Sequence, residues 1–534
     1  MNRSSGFSFS RDWLLLAGFC WFLFFYGLAS FGLIGADEPR YAQVAQEMFV
    51  RHDWITPTLG GKPWLEKPPL YYWQAMLAYA AFGASDWAAR LPSAVDATLM
   101  VGAVYLFLRR FSPGFELDGA LMTGAAAGVI GFARAASTDM PLAATFTIAL
   151  LAWFGWRAGG RKLALALFYI FLGLGVLAKG PIAVFLAAAI IVIFSIAMRD
   201  ARRIGRTLWL PGILLFCAVV LPWYIAVQVK NPEFFRVFIL EHNFARFGTN
   251  LYRHKEPFWY YLPVILAGVL PWTVFIVAAL IENIRGWWAG GRKLSPEDAL
   301  SAFLILWLAV PAVFFSISQS KLPGYILPAL PAATLLLCVY LPEQATAGAR
   351  PGLLRMALHS ALAALMIVPA LMVAYLVEMH RFPWGRAAEV SLVLAAVLFL
   401  AMTAALQRYG LRMLRIVTLV PALLTVATAI RGGAPAVDAT LSLRPVALEA
   451  KRFESQPLPF AIFLLPRESE YGLQFYLNQA LGRYELGQIP PQEHIVVAQE
   501  GNGARMAKRT AGRRYRYLGN FAAQHVDYYW VAAK

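Results

Sequence analysis

Long apolar runs are the feature that most limits how this chain can fold. Several of them, including 13–33, 258–281 and 355–378, reach the ~20 residues that an α-helix needs to cross a bilayer. Of all residues, 59% are hydrophobic and 14% are charged, whereas a soluble domain carries about 25% charged residues. A membrane β-barrel would show short alternating strands instead. The sequence therefore predicts an all-α polytopic membrane protein.

We expect about thirteen transmembrane helices, since each needs ~20 apolar residues. The predicted spans are 13–33, 87–108, 118–134, 140–157, 163–178, 180–198, 208–229, 258–281, 301–317, 324–341, 355–378, 388–406 and 411–430. Pro68 and Pro69 also favour a short interfacial helix from Leu70 to Phe82, because proline is tolerated in the first turn of a helix.

The composition changes after residue 430. From there to Lys534 the chain mixes polar and apolar residues and has no run long enough to span a membrane. Strand-like runs at 460–465, 494–498 and 528–532, with a helical pattern at 471–479, predict a small α/β domain. The predicted domains are therefore a transmembrane domain, 1–430, and a soluble domain, 431–534.

Basic residues are unevenly distributed among the loops, and this predicts the orientation. One alternating set of loops is rich in Arg and Lys; it contains 109–110, 157–162, 199–206, 285–293, Arg350 and 408–412. The positive-inside rule assigns this set, and with it the N-terminus, to the cytoplasm. Loops 34–86 and 230–257 and the C-terminal domain are then expected on the periplasmic side.

The net charge of +17 has two explanations. Most of it follows from the positive-inside bias and general attraction to anionic lipids. The Lys and Arg residues of the predicted periplasmic loops favour an anionic substrate instead. The three cysteines, Cys20, Cys217 and Cys338, lie in apolar runs without metal-ligand spacing, so no disulfide framework is expected.

A polar stretch, 35–72, separates the first two predicted spans. Ionisable residues at the edge of a membrane are costly unless they are paired or functional. Asp37 precedes Pro39 and Arg40, so the simplest interpretation is that Asp37 caps a helix. The functional interpretation is a carboxylate at the membrane surface, beside Arg40, that orients a nucleophile or accepts its proton.

Glu66 and Lys67 lie immediately before the proline pair, within an aromatic sequence. They could form an ordinary surface ion pair in an aromatic interfacial belt. Alternatively, Lys67 binds a phosphate as a point charge, and Glu66 binds a metal or a basic partner.

The second long loop contains ionisable residues at helical spacing. His242 and Arg246 are four residues apart and would share one face of a helix. Arginine is suited to bidentate phosphate binding. A lone histidine is more often structural, and His242 becomes a metal-ligand candidate only if Glu66 approaches it.

Two further lysines lie in short loops on the same predicted side, Lys179 and Lys321. Each alone would be explained by snorkelling to the interface. Four separate loops that place basic groups on one side of the membrane favour a common anionic pocket.

The polar motifs together resemble a known family. They are GADEPRYAQVAQEM (35–48), GKPWLEKPPLYYW (61–73), LAKGP (177–181), EHNFARF (241–247), HKEPFWYYLPVILAGVLPW (254–272), SKLPGYILPALP (320–331) and YGLQFYLNQ (471–479). In this order they resemble the integral-membrane glycosyltransferases of the GT-C type, above all the bacterial aminoarabinose transferases that modify lipid A, relatives of the protein O-mannosyltransferases. One departure is Trp64, where those transferases tend to have tyrosine, which leaves the sugar and acceptor open.

The resemblance implies a polyprenyl-phosphate sugar donor, no nucleotide, and an acceptor such as lipid A at the outer face.

The resemblance also implies roles for particular residues. It implies that Asp37 is the catalytic carboxylate. Donor-phosphate contacts are implied for Lys67, Arg246 and Tyr325, with support from Arg40, Tyr41 and Lys179. Glu66 and His242 are implied ligands of a divalent metal, which would be zinc, magnesium or manganese.

The resemblance also implies a multi-pass protein of the bacterial inner membrane that acts as a monomer among membrane lipids, with no nucleic-acid partner. Lipid A modification of this kind is linked to polymyxin resistance. Two alternatives stay open: a related transferase with a protein or another glycolipid as acceptor, and a lipid transporter or flippase. Transporter sites usually lie at the bilayer midplane, whereas these ionisable residues cluster near one face.

Overall fold

The structure is a computed structural model that describes residues 5–238, 256–289, 294–346, 352–378, 384–454, 456–510 and 512–534. Within these ranges the chain is mostly helical. Strands occur in a short hairpin, β1 (Thr58–Leu59) and β2 (Lys62–Pro63), and in one sheet near the C-terminus. The predicted combination of a helical membrane protein with a small C-terminal α/β region is confirmed.

Nine helices in the described ranges are long and apolar enough to cross a membrane. They are Asp86–Phe111, Asp139–Gly159, Lys162–Lys179, Leu210–Lys230, Ala299–Ile317, Pro323–Pro342, Leu353–Met372, Gly385–Tyr409 and Leu414–Leu441. The pair Tyr261–Gly268 and Thr273–Ala289, bent by 116°, makes a tenth if it is counted as one span. Each of these ten corresponds to a span predicted from the sequence.

The other three predicted spans correspond to shorter helices. The first apolar run contains an α-helix, Ser5–Cys20, and a π-helical turn, Trp21–Phe25. The run at 118–134 is divided into Glu116–Gly124 and Ala127–Ala133, and the amide of Ala127 donates to the carbonyl of Leu270. Ile182–Ala197 is apolar but has 16 residues. Thirteen membrane-spanning helices are thus not confirmed by helix length.

The remaining helices are short, and several belong to the polar segments. They are Asp37–Val50, Leu70–Phe82, Arg202–Thr207, Arg444–Arg452, Arg467–Leu477 and Gly503–Ala507. Two further short helices, Ile367–Glu378 and Ala434–Leu441, overlap the candidate spans Leu353–Met372 and Leu414–Leu441. The helix predicted after the proline pair has the predicted bounds, Leu70–Phe82. The helix Asp37–Val50, called the Asp37 helix below, begins at the candidate catalytic residue.

The chain divides into two compact units, and both are discontinuous in sequence. One consists of Met1–Tyr26, Leu65–Tyr71 and Pro92–Ala429 and contains most of the apolar helices. The other consists of Gly27–Trp64, Tyr72–Leu91 and Ile430–Lys534. The part of the polar stretch that carries Asp37, up to Trp64, therefore belongs to the same unit as the C-terminal region, and we call this the polar unit. We call the other the apolar unit.

The sheet of the polar unit has five strands: β3 (Phe460–Phe463), β4 (Gly482–Arg483), β5 (His494–Gln499), β6 (Tyr515–Phe521) and β7 (Val526–Val531). Their order is β4-β3-β5-β7-β6, with β3 parallel to β4 and β5 and the other pairs antiparallel. Parallel neighbours need a crossover, and the helix Arg467–Leu477 provides it after β3. β3 and β5 are almost fully buried because side chains cover both faces of the sheet.

His494 gives the sheet a pH-dependent stability. Its Nδ1 lies 2.7 Å from the carbonyl oxygen of Gln492, and its Nε2 lies 2.5 Å from the Tyr484 hydroxyl. The neutral ring satisfies both partners, donating from Nδ1 and accepting at Nε2. Burial, and then the charge of Arg513, lower the pKa of His494. The unfolded chain binds a proton near pH 6.5, so this part of the stability is present above that pH and is lost below it.

We predict that His494→Gln flattens the fall in melting temperature between pH 7 and pH 5. The measurement is thermal unfolding of the full-length protein in detergent, followed by a probe of the C-terminal sheet. His52→Asn is the control, because His52 is exposed and its backbone is in the left-handed region that asparagine tolerates. Equal pH slopes for the wild type and His494→Gln would contradict the prediction.

Candidate functional site

Asp37 is the first residue of its helix. The capping position is occupied by Ala36, so Asp37 is not the capping residue that the simplest interpretation of the sequence required. Its side chain is 54% exposed and accepts a hydrogen bond from Arg40, one turn later. An acidic residue in the first turn is favoured by the helix dipole. Asp37 is therefore an accessible carboxylate with a cation beside it.

Arg40 is held between aromatic rings. Its guanidinium carbon lies 5.0 Å from the centre of the Tyr41 ring and 5.4 Å from that of Trp64. Tyr41 is buried and contacts the ring of Tyr72, with centres 6.4 Å apart. The structure thus places Asp37, Arg40 and Tyr41 side by side. Trp64 supplies the aromatic face that tyrosine would supply, without a phenolic hydroxyl.

Glu38, beside Asp37, has a very different environment. It is buried and makes two hydrogen bonds with Arg90, at 3.0 Å to Oε1 and 2.8 Å to Oε2. The amide of Ile34 also donates to Oε2, at 2.9 Å. Glu38 is therefore a structural ion-pair partner, and Asp37 is the carboxylate available for chemistry. The sequence analysis missed Arg90, although a charged residue at the start of an apolar run was a usable signal.

A second acidic residue of the Asp37 helix organises the hairpin that precedes Trp64. Glu47 accepts from the Thr58 hydroxyl at 2.6 Å and from the amides of Gly60 and Gly61 at 2.7 and 3.1 Å. Both glycines have positive φ, as a two-residue hairpin turn requires. This interaction attaches the Gly-Gly turn to the helix that carries Asp37.

Glu66 and Lys67 are half-buried and lie before the proline pair that leads into the helix Leu70–Phe82. His242 and Arg246, which the sequence analysis also singled out, lie outside the described residues. Among the residues that are described, no three His, Cys, Asp or Glu side chains form a group able to hold a metal ion. Glu66 alone does not make a metal site.

The apolar unit contains a second group of candidate residues. The Lys179 ammonium forms an ion pair with Asp139 and lies 4.8 Å from the centre of the Tyr325 ring. The two charged side chains are only 11% and 17% exposed. Lys179 and Tyr325 are thus brought together from distant parts of the sequence. Lys179 is paired inside the protein, which the snorkelling interpretation did not predict.

Asp139 was missed from the sequence, and Gly324 explains how the loop reaches it. A Cβ atom on Gly324 would lie 2.5 Å from Oδ1 of Asp139, so only glycine permits this approach. Asp139 begins a predicted span directly after polar residues. An acidic residue at that position was the available signal.

Lys321 has a different role from the other lysines. It is buried, and its ammonium donates to the carbonyls of Ser318 at 2.6 Å and Glu256 at 3.1 Å. These bonds satisfy irregular backbone next to the turn that leads to Tyr325. Lys321 therefore supports the loop.

The protein is a multi-pass membrane protein with the fold of the GT-C integral-membrane glycosyltransferases. The crystal structure of ArnT from Cupriavidus metallidurans bound to undecaprenyl phosphate matches with a TM-score of 0.76 and 22% identity, over 99% of this chain and 98% of that one. The apo state of the same protein matches with a TM-score of 0.73.

The sequence comparisons agree with the resemblance predicted from the motifs. The family described as dolichyl-phosphate-mannose-protein mannosyltransferase matches residues 10–238. An undecaprenyl phosphate-alpha-4-amino-4-deoxy-L-arabinose arabinosyl transferase of Pseudomonas aeruginosa is 34% identical over 61% of this chain and 59% of its own length. A Pseudomonas fluorescens relative of the same description is 32% identical over 60% of this chain and 55% of its own length. The match thus spans less than two thirds of these relatives.

We predict that Asp139 and Lys179 stabilise the protein as a pair. Breaking a fully buried ion pair costs about 3–5 kcal/mol, and this pair is slightly exposed, so we expect Asp139→Asn to cost about 1–3 kcal/mol. Lys179→Met should cost a similar amount, and the double variant less than the sum. The measurement is thermal unfolding in detergent, arranged as a double-mutant cycle. Strictly additive effects would contradict the pairing.

Proposed function

We propose that this protein transfers 4-amino-4-deoxy-L-arabinose from undecaprenyl phosphate to a phosphate of lipid A at the periplasmic face of the inner membrane. The observation that carries this proposal is the likeness, over almost the whole chain, to a structure bound to undecaprenyl phosphate. The description of the Pseudomonas relatives supports the same sugar and carrier. The accessible carboxylate of Asp37 supplies a group suited to the acceptor.

The proposed reaction is a single displacement at the anomeric carbon. The bond from the sugar to the donor phosphate breaks, and the bond to the acceptor oxygen forms. Because a phosphate leaves readily as an anion, the enzyme needs positive charge around it more than a strong acid. We assign stabilisation of the leaving phosphate to the positive charges of Lys67 and Arg246 and to a hydrogen bond from the Tyr325 hydroxyl. Lys179 orients the Tyr325 ring.

Asp37 orients the acceptor or removes its proton. A lipid A phosphate is largely ionised already, so positioning accounts for most of the contribution of Asp37 in that case. Arg40 lies between Asp37 and two aromatic rings, and these contacts restrict its movement. Arg40 therefore holds a fixed positive charge beside the carboxylate, which favours an anionic acceptor.

An apolar cavity of about 600 Å³ in the apolar unit is suited to part of the isoprenoid tail. Trp259, Leu262, Val313 and Ile317 are among its lining residues. Tyr261, another lining residue, hydrogen-bonds through its hydroxyl to the backbone of Leu322, three residues before Tyr325. A tail in this cavity would lie beside the loop that carries a proposed phosphate contact.

The topology that we propose has thirteen spans. Ten are the candidate spans described above, and three are the shorter helical stretches within 5–25, 116–133 and 182–197. The loop charges favour a cytoplasmic N-terminus and a periplasmic C-terminal region. We further propose a monomer, and a divalent metal held by Glu66 and His242, for which only Glu66 is described.

A related transferase with another acceptor, such as a protein or a different glycolipid, is the second candidate. Trp64 in place of tyrosine is the observation that favours it, because a lost hydroxyl changes recognition of the sugar or acceptor. An assay separates these candidates. The purified protein is incubated with polyprenyl-phosphate aminoarabinose and lipid A, and the products are identified by mass spectrometry. A lipid flippase would move its substrate without forming modified lipid A.

We predict that Asp37→Asn and Lys67→Ala each lower the transfer rate at least 100-fold while the protein stays folded. Asp37→Asn removes a charge from an exposed side chain, so unfolding should be almost unaffected. The matched control is Asp200→Asn, since Asp200 also pairs with an arginine three residues later. Near-normal turnover of Asp37→Asn would overturn its assignment as the catalytic residue.

We also predict that Val313→Trp raises the KM for the undecaprenyl-linked donor at least fivefold. The larger side chain fills the cavity that we assign to the tail. Val229→Trp is the control, because Val229 is an exposed valine on another apolar helix and does not line the cavity. A donor with a short prenyl chain should be affected little. An unchanged KM for the long donor would exclude the cavity as a tail site.

A further inference from the structure

The segment 28–34 joins the end of the first apolar helices to the Asp37 helix, and it has almost no regular secondary structure. Irregular backbone next to a membrane must satisfy its polar groups by other means. In this protein, charged and phenolic side chains satisfy them. These side chains come from the start of the helix Asp86–Phe111, from the Asp37 helix and from the C-terminal region.

Two arginines hold five consecutive carbonyl groups of this segment. Arg90 donates to the carbonyls of Leu28 at 3.0 Å, Phe31 at 2.7 Å and Gly32 at 2.8 Å. Arg444 donates to those of Ala29 and Ser30, at 3.0 and 3.4 Å. Each arginine thus acts as a multidentate donor that a lysine could not replace.

The amide groups at the end of the segment are held as well. Asp438 accepts from the amide of Gly32 at 2.8 Å, and the Tyr476 hydroxyl accepts from the amide of Leu33 at 2.6 Å. The amide of Ile34 donates to Glu38. A Cβ on Gly32 would lie 2.1 Å from the Ser442 hydroxyl, so the fit leaves no room for a larger residue.

Arg444 connects these contacts to each other. It forms ion pairs with Asp438 and with Asp86, each at 2.8 Å. Burial, and then the negative charge of Asp86, raise the pKa of Tyr476, which therefore remains a neutral phenol.

Further along the Asp37 helix, the Gln46 amide donates to the side chain of Asn478 at 3.0 Å. The C-terminal region thus contacts both the helix and the segment that leads to it.

These contacts restrain the backbone on both sides of Asp37. Only Gly35 and Ala36 separate the held segment from Asp37, and Glu38, the next residue, is bound by Arg90. The Asp37 side chain itself stays exposed. Such an arrangement fixes the backbone from which the Asp37 side chain extends, and it leaves the carboxylate itself accessible.

We propose that Arg444, Asp438 and Tyr476 of the C-terminal region are positioning residues for Asp37, acting through the segment 28–34. The proposal rests on the proposed function, because it assigns the carboxylate of Asp37 to the reaction. It gives the C-terminal region a part in catalysis. A misplacement of about 1 Å at a reacting group can lower a rate ~100-fold.

The test is the steady-state kinetics of transfer by the full-length protein. We expect Tyr476→Phe, which removes only the hydroxyl oxygen, to lower kcat roughly tenfold, and Arg444→Ala to lower it ~100-fold, as expected for a misplaced group. The KM for the donor should stay within about twofold. The matched controls are Arg452→Ala, an exposed arginine of the same helix, and Tyr517→Phe, an exposed tyrosine of the sheet.

A double variant separates positioning from general stability. If Arg444 acts through Asp37, Arg444→Ala should barely change the residual rate of Asp37→Asn, measured by mass spectrometry after long incubation. A loss that multiplies with that of Asp37→Asn would overturn the positioning role. Near-normal turnover of Asp37→Asn would instead overturn the assignment of Asp37, so the two failures are distinguishable.

Hydrogen exchange gives a readout that does not depend on activity. Tyr476→Phe should speed exchange of the amides in 28–38, above all that of Leu33, relative to Tyr517→Phe. Exchange elsewhere in the polar unit should be unchanged. Protection of 28–38 equal to that of the wild type, together with an unchanged kcat, would refute the proposal even if every variant folds.

Discussion

The ion pair between Arg90 and Glu38 is the interaction on which the candidate site depends. Both side chains are buried, and a buried charge is costly unless a partner and hydrogen bonds compensate for it. Arg90 satisfies this condition by binding Glu38 and three backbone carbonyls. One side chain therefore fixes both the irregular segment before the Asp37 helix and the first turn of that helix.

This arrangement gives two neighbouring acidic residues different functions. Glu38 is neutralised inside the protein, whereas Asp37 faces outward beside Arg40. The same principle operates in the apolar unit, where Asp139 compensates the charge of Lys179, and Lys179 lies against the ring of Tyr325. In each unit an ion pair that is largely shielded from water orients the residue to which we assign a function.

Much of the architecture could be predicted from the sequence because apolar runs of membrane length have few alternatives. Ten predicted spans correspond to helices, or to one bent pair, that are long enough to cross a bilayer. The helix Leu70–Phe82 was predictable from the proline pair that precedes it. The strands Gly482–Arg483 and Tyr515–Phe521 were missed because each lies at an edge of the sheet, where side chains need not alternate between apolar and polar.

The sequence by itself determined that the chain is a helical membrane protein, that its polar motifs resemble a glycosyltransferase family, and that Asp37, Lys179 and Tyr325 are candidates. These conclusions depend on composition and local order, which the chain carries directly. Only the tertiary structure decided that Asp37 and not Glu38 is exposed, that Asp139 pairs with Lys179, and that the C-terminal region holds the segment before Asp37. Those facts depend on which charged side chains, distant in sequence, pair with each other when folding buries them. The spacing of residues along the chain does not determine this pairing.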